Sequence, residues 1–125
     1  GDVLGKYIAK AMEKVGKDCV IIGRNADAIL KEQKPFSIFV CADTESKIKR
    51  CRARAREDEK LTDRELKRKM KEIDKGRART RDFLTGSEWG KCESYHLTVN
   101  TGDWDMKALA AAVAAFAEKW FESER

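Results

Sequence analysis

Two arginines stand where apolar residues belong. Leu66, Met70 and Ile73 recur at the spacing of one helix face, and on a projection advancing about 100° per residue Arg77 and Arg81 continue the same stripe, within about 60° of Leu66. An isolated guanidinium is costly to bury, so each must meet either an internal carboxylate or a bound anion, and the fork of Arg suits phosphate. Asp74, three residues before Arg77, is either its nearest internal partner or an acceptor for sugar hydroxyls. Lys75 and Arg79 point off the stripe, as on a solvated face, unless the segment folds over a ligand as a lid. Upstream, Gly23 and Arg24 follow a short apolar run, and in open parallel sheets ligands gather beyond the carboxyl ends of strands, which places Arg24 for an anion. Asp27 is then positioned to orient Arg24 or to accept a hydrogen bond from a polar ligand group. The competing reading is an arginine that closes a helix end or pairs with a surface carboxylate.

Other residue types narrow the function by what they exclude. His96 is the single histidine, which rules out a multi-His metal site and argues against a Ser or Cys protease relay. Its place in an alternating stretch favours a structural role. Cys19, Cys41, Cys51 and Cys92 never form a CxxC pair, so neither a zinc ribbon nor a thioredoxin-type site is indicated, and they read as small buried thiols. Trp89, Trp104, Trp120 and Tyr95 read as core residues, because no aromatic-interleaved basic motif accompanies them. The phosphate-cradling pattern GxxxxGK[ST] is absent; GSEWGK at 86–91 has three residues between its glycines and no hydroxyl after Lys91.

The elements that must position these groups follow from periodicity. Residues 2–16 have the spacing of a helix ended by Gly16, and 18–23 (DCVIIG) form a short branched run expected as a strand buried on both faces. Residues 25–34 connect it, as a short helix or loop, to a second strand at 36–41 that Pro35 admits. Thr44 is expected to cap a helix over 45–57, whose apolar side is Ile48, Cys51 and Ala55, with Arg50 and Arg54 well off it and Arg52 at its border. A capping box at Thr62–Glu65 starts the next helix. Residues 95–99 make a third strand, and Asp103 is expected to cap a last helix with Met106, Leu109, Val113, Phe116 and Trp120 on one face. Strands alternating with helices mean an α/β domain with a parallel sheet and flanking helices, a single domain over 1–125, although three strands are few for it.

Of 125 residues 27 are Lys or Arg and 22 Asp or Glu, a formal charge of +5, and 42% are hydrophobic, enough for a packed core. The basicity is local: residues 44–82 hold 16 Lys or Arg against 9 Asp or Glu. Such a stretch wants an anionic partner or a solvated helical face, and composition alone does not separate nucleic acid, nucleotide phosphate and plain solubility. No run approaches about 18 uncharged apolar residues, and the first residues lack a secretion signal, so no membrane span and a cytoplasmic location are expected.

Taken together, DCVIIGRNAD, FSIFVCAD with Lys49 and Arg50 in the helix behind it, IDKGRARTRDF, the Trp89 turn and YHLTVNT resemble, in that order, the bacterial cytidylate kinase-like proteins among the P-loop nucleoside monophosphate kinases. The similarity runs from Cys19 to the last helix. It implies transfer of the ATP γ-phosphate to CMP or a similar nucleoside monophosphate, with Mg²⁺ bridging the donor phosphates. By this resemblance Arg24 contacts the acceptor nucleotide, Asp74 its sugar hydroxyls and Arg77 its phosphate. Arg50 stands where the family carries an Arg pair near the phosphates, and Arg79 and Arg81 belong to the lid, within a basic helical region at 44–85; Arg77 and Arg81 are the expected catalytic residues, neutralising charge on the transferring group as the lid closes and excludes water. The family's first strand, Gly-rich loop and following helix are expected ahead of Gly1, so this chain reads as the acceptor-binding and lid portion, with a central strand of the sheet not accounted for and no metal site of its own. A nucleic-acid-binding module and a non-catalytic, homo-oligomerising fragment are the alternatives.

Overall fold

The structure, a computed structural model, describes residues 19–23, 25–54 and 61–123. A short helix α1 (Ala26–Ile29) and a 3₁₀ turn (Lys31–Gln33) lead into strand β1 (Ile38–Cys41). Helices α2 (Thr44–Arg54) and α3 (Asp63–Thr85) follow, then a 3₁₀ turn (Cys92–Ser94), strand β2 (Leu97–Asn100) and helix α4 (Met106–Ser123). β1 and β2 pair in parallel, Ile38 opposite Leu97 and Cys41 opposite Asn100. Branched and aromatic residues favour the extended backbone, and parallel partners demand a crossover, which α2 and α3 supply. The architecture is α/β with a small parallel sheet, two-stranded among the described residues.

Residues 19–23 correct the expectation of a doubly buried strand. They form no ladder among the described residues, and Val20 and Ile22 are 90% and 97% exposed. A branched run becomes a buried strand only where neighbours bond its edges and cover its faces, and neither β1 nor β2 does so here. The other two strands begin two residues later than expected, at Ile38 and Leu97. The helix expected over 2–16 and the end of the one expected over 45–57 lie outside the described residues.

Helix ends decide where the cleft-lining side chains point. Thr62 caps α3, accepting from the Glu65 N–H at 3.2 Å while its hydroxyl donates to Glu65 Oε1 at 3.0 Å. Gly86 stops α3 in the left-handed conformation (φ 69°), donating to the Asp82 carbonyl at 2.8 Å. Two caps fall beside the residues expected. Asp43, not Thr44, caps α2: its Oδ2 accepts from the Ser46 N–H at 3.1 Å and its Oδ1 from the Ser46 hydroxyl at 2.6 Å. Asp105, not Asp103, caps α4 through the Ala108 N–H at 3.1 Å, because Asp103 is itself left-handed at φ 63° and turns the chain instead.

The core is small. Among the described residues Leu30, Ile48 and Leu109 are its buried apolar members, and an aromatic cluster extends it. Phe36 stacks on His96 at 5.6 Å between centroids and meets Trp120 at 5.2 Å. The Ser37 N–H donates to His96 Nδ1 at 3.0 Å, so this histidine ties β1's entry to β2's. On α4 the inward side is Leu109, Val113, Ala117 and Trp120; Met106 and Phe116, expected on it, are exposed, as is Trp104. The cysteines also depart from expectation: Cys19 and Cys92 are exposed, Cys41 and Cys51 half-buried, and none forms a disulfide among the described residues.

Candidate anion-binding cleft

The carboxyl end of β1 opens into a cleft of about 520 Å³ between α2 and α3. Each helix contributes two residues at i,i+3 spacing, which puts both on one face: Lys47 and Arg50 from α2, Asp74 and Arg77 from α3. Cys41, Trp89, Gly90 and Thr101 complete the wall. A shallower hollow on α4, about 550 Å³, is lined by Ala112, Ala115, Phe116, Trp120 and one charged residue, Lys119, which is itself paired with Glu122 at 3.6 Å. Polar chemistry belongs to the first cleft.

Thr101 is the fixed point of that cleft. It is 4% exposed, and its N–H donates to the Cys41 carbonyl at 2.8 Å, its hydroxyl to the same oxygen at 3.2 Å. Arg50 Nη1 donates to Thr101 Oγ1 at 2.5 Å and Nη2 to its carbonyl at 2.6 Å. The guanidinium is thus anchored on the hydroxyl and carbonyl of Thr101, and its charge also acts on the Asp43 carboxylate. Lys47 Nζ meets Asp74 Oδ2 at 3.3 Å. Arg77 Nε is buried and has no hydrogen-bond partner among the described residues. Three cations therefore line the cleft against one carboxylate, and a buried donor without a partner is costly unless a ligand satisfies it.

Arg81, four residues on, meets the other fate open to a guanidinium on the stripe. It is 4% exposed, and its Nη1 and Nη2 donate to Asp27 Oδ1 and Oδ2 at 2.6 and 2.8 Å. Its Nε donates to Ser87 Oγ at 3.2 Å. Burial pushes the Asp27 carboxyl up, but the hydrogen bonds and charge of Arg81 outweigh it and hold Asp27 below the usual carboxylate range, while the same bonds raise Arg81. The guanidinium lies 5.2 Å from the Tyr95 ring centroid. Tyr95 tilts against Phe39 at 4.9 Å, and Phe39 meets the edge of Trp89 at 5.1 Å. Gly90, at φ 78°, lets this wall close: a Cβ there would stand 3.2 Å from the Phe39 ring.

Of the residues singled out in the sequence, the cleft gathers Arg50, Asp74 and Arg77. Asp27 and Arg81 pair with each other behind its aromatic wall. Arg79 is exposed and does not line it, and Arg24 lies outside the described residues. Sequence reasoning passed over Lys47 and Thr101. Lys47 stands three residues before Arg50, the spacing that puts two side chains on one helix face, and this was the available signal.

The described residues do not suit Mg²⁺. Asp74 is the one carboxylate on the cleft and Lys47 engages it, and no group of three or more His, Cys, Asp or Glu is placed for a metal among the described residues. Nor is any helix of the described residues long and apolar enough to cross a membrane.

Comparison with known proteins gives three results. A search of curated proteins finds no match. The crystal structure of an uncharacterised protein from Eubacterium ventriosum superposes with a TM-score of 0.77 at 27% identity over 92% of this chain, which spans 63% of that protein's chain. The model of the cytidylate kinase-like family matches residues 2–103. That interval takes in α1, both strands, α2, α3 and every residue that lines the cleft, and by it the chain belongs to the cytidylate kinase-like family, whose character is kinase-like and nucleotide-binding.

Proposed function

We propose that this chain forms the acceptor side of a nucleoside monophosphate kinase with a P-loop kinase-like fold. It binds the phosphate of CMP or a similar monophosphate between α2 and α3, where Arg77 and Arg50 meet it and Asp74 takes the sugar hydroxyls. The observation that carries this reading is the buried, unpartnered Nε of Arg77 in a cleft lined by three cations and one carboxylate. A monoester phosphate brings about −1.5 to −2 at neutral pH and three acceptor oxygens, which matches that excess of charge and donors. Positive groups fixed around a phosphoryl group lower the barrier to its transfer by electrostatics and positioning, and Arg77 is the residue here with a donor left for that task.

Arg81 and Asp27 enter as positioning residues, because their mutual bonds leave the cleft to others while Arg81 supports the Tyr95, Phe39 and Trp89 wall. Arg24 and Arg79 are assigned to the acceptor by family resemblance alone. ATP with Mg²⁺ as phosphoryl donor, and cytosine as the base, likewise rest on the family. Calorimetric titration with CMP, UMP and AMP tests the reading, using wild type and Arg77→Met. Saturable CMP binding is expected, weakened about tenfold or more by Arg77→Met through loss of charge-assisted hydrogen bonds. Absence of binding by every monophosphate, or equal binding by the variant, would overturn it.

A further inference from the structure

α3 carries two carboxylate–cation contacts of opposite character. Asp27 and Arg81 meet through two bonds, at 2.6 and 2.8 Å, with side chains 20% and 5% exposed, a pair that does not open without leaving charges stranded. Lys47 and Asp74 meet through one contact at 3.3 Å, with side chains 35% and 32% exposed, inside the cleft. A single-contact pair of this exposure is weak and exchangeable. An ammonium on a flexible stem has three donors to redirect, whereas a carboxylate has only acceptors.

Asp74 is otherwise the wrong charge for this place. It repels any anion that Arg77 and Arg50 attract, and once Lys47 turns to the anion the carboxylate loses its one ion-pair partner. A ligand that carries a diol beside its phosphate repairs that loss best, because two hydroxyl donors reach the carboxylate without bringing negative charge to it. Inorganic phosphate does not bring a diol. Resting on the monophosphate reading above, we propose that Lys47 and Asp74 form a selectivity latch: Lys47 exchanges Asp74 for the ligand's phosphate, and Asp74 accepts the sugar hydroxyls in return. Free phosphate has no diol set apart from its anionic oxygens, so it is disfavoured: it must bring its negative charge beside Asp74 with only its own P–OH to offer. This is specificity through a repulsive element as well as an attractive one.

The test measures dissociation constants of CMP and inorganic phosphate for wild type, Asp74→Asn and Lys47→Gln, with far-ultraviolet circular dichroism confirming that each variant is folded. Asp74→Asn keeps the shape of the side chain and removes its charge. It is expected to bind inorganic phosphate about fivefold or more tighter and CMP more weakly, so that the preference for CMP over phosphate falls about tenfold or more. Lys47→Gln is expected to weaken both ligands, because it removes a cation from the anion and leaves Asp74 in place. If CMP binds wild type and the preference is unchanged in Asp74→Asn, or phosphate binds that variant no tighter, the latch is wrong while the monophosphate reading stands. If wild type binds neither CMP nor any other monophosphate, both fall together. Should Asp74→Asn not fold, Lys47→Gln decides: a loss confined to one ligand, or no loss, overturns the latch.

Discussion

Arg81 reaches from α3 to α1 and closes its two terminal nitrogens on the two oxygens of Asp27, at 2.6 and 2.8 Å, across 54 residues of chain. The contact joins the segment that follows the apolar run 19–23 to the helix that lines the cleft, and its guanidinium lies against Tyr95 as well. One turn earlier Arg77 meets no such carboxylate among the described residues. Two arginines of the same stripe thus differ: one is closed in an ion pair, and the other buries an Nε that has no hydrogen-bond partner among the described residues.

Breaking the permanent pair is expected to destabilise the fold without touching the cleft directly. Asp27→Asn strands a 4% exposed arginine and should cost about 3 kcal/mol, the scale for removing one partner of a buried pair. Equilibrium unfolding in urea measures it. Arg81→Met in the Asp27→Asn background should recover part of the loss, since it removes the stranded charge.

Acid should erase the same contribution. The folded Asp27 pKa lies below its unfolded value of about 3.9, so the unfolded chain binds a proton first as the pH falls. The stabilisation is therefore complete above about pH 5 and declines as pH drops through the folded pKa. Arg81 stays protonated throughout the acid range, so Asp27 alone sets the pH at which their shared contact is lost. The gap in unfolding free energy between wild type and Asp27→Asn should therefore narrow progressively as the pH falls below the unfolded carboxylate pKa of about 3.9; a gap that does not narrow as acid is added refutes the assignment.

Much of this arrangement is local and was therefore legible in the sequence. The Thr62–Glu65 cap, the Gly86 stop and the guanidinium positions on the stripe depend on residues within a few turns of one another. Residues 19–23 show the limit: their branched composition is that of a buried strand, yet burial is conferred by neighbours, and β1 and β2 leave Val20 and Ile22 exposed. The partners of the charged groups were equally non-local. Nothing in the local pattern assigns Asp27 to Arg81 across 54 residues, or Asp74 to Lys47 across 27 rather than to Arg77 beside it. Arg50 looked like part of a solvated run because its acceptor, Thr101, arrives from the far end of β2.

Arg77 should trade stability against function. Its Nε is buried without a partner among the described residues, and such a donor costs about 1–3 kcal/mol. Arg77→Met keeps much of the side-chain length and removes that donor. Its urea midpoint is expected to rise, by about 1 kcal/mol in unfolding free energy, in the same variant whose CMP binding is weakened. A variant less stable than wild type would show that Arg77 holds the fold rather than the ligand.

Gly102 offers a test of how the cleft floor is kept in place. A Cβ at this position would stand 2.7 Å from Asp43 Oδ1, 3.2 Å from Asn100 Oδ1 and 3.3 Å from Ser46 Oγ. The first contact is too short, so Gly102→Ala must displace the Asp43 carboxylate. That carboxylate caps α2, and its hydrogen bonds from the Ser46 hydroxyl and N–H hold its pKa below the usual value. Gly102→Ala is expected to be mildly destabilising, because the atoms it meets are the ends of side chains that can move, and Asp43→Ala to be destabilising through loss of the cap. Because both act through one cap, the double variant should cost less than the sum of the two. Thr101, which anchors Arg50, is the preceding residue, so CMP affinity should fall in Gly102→Ala and recover in the double variant. Strict additivity in urea unfolding would mean that the clash is relieved elsewhere, and that α2 and its two cleft cations are positioned without Asp43.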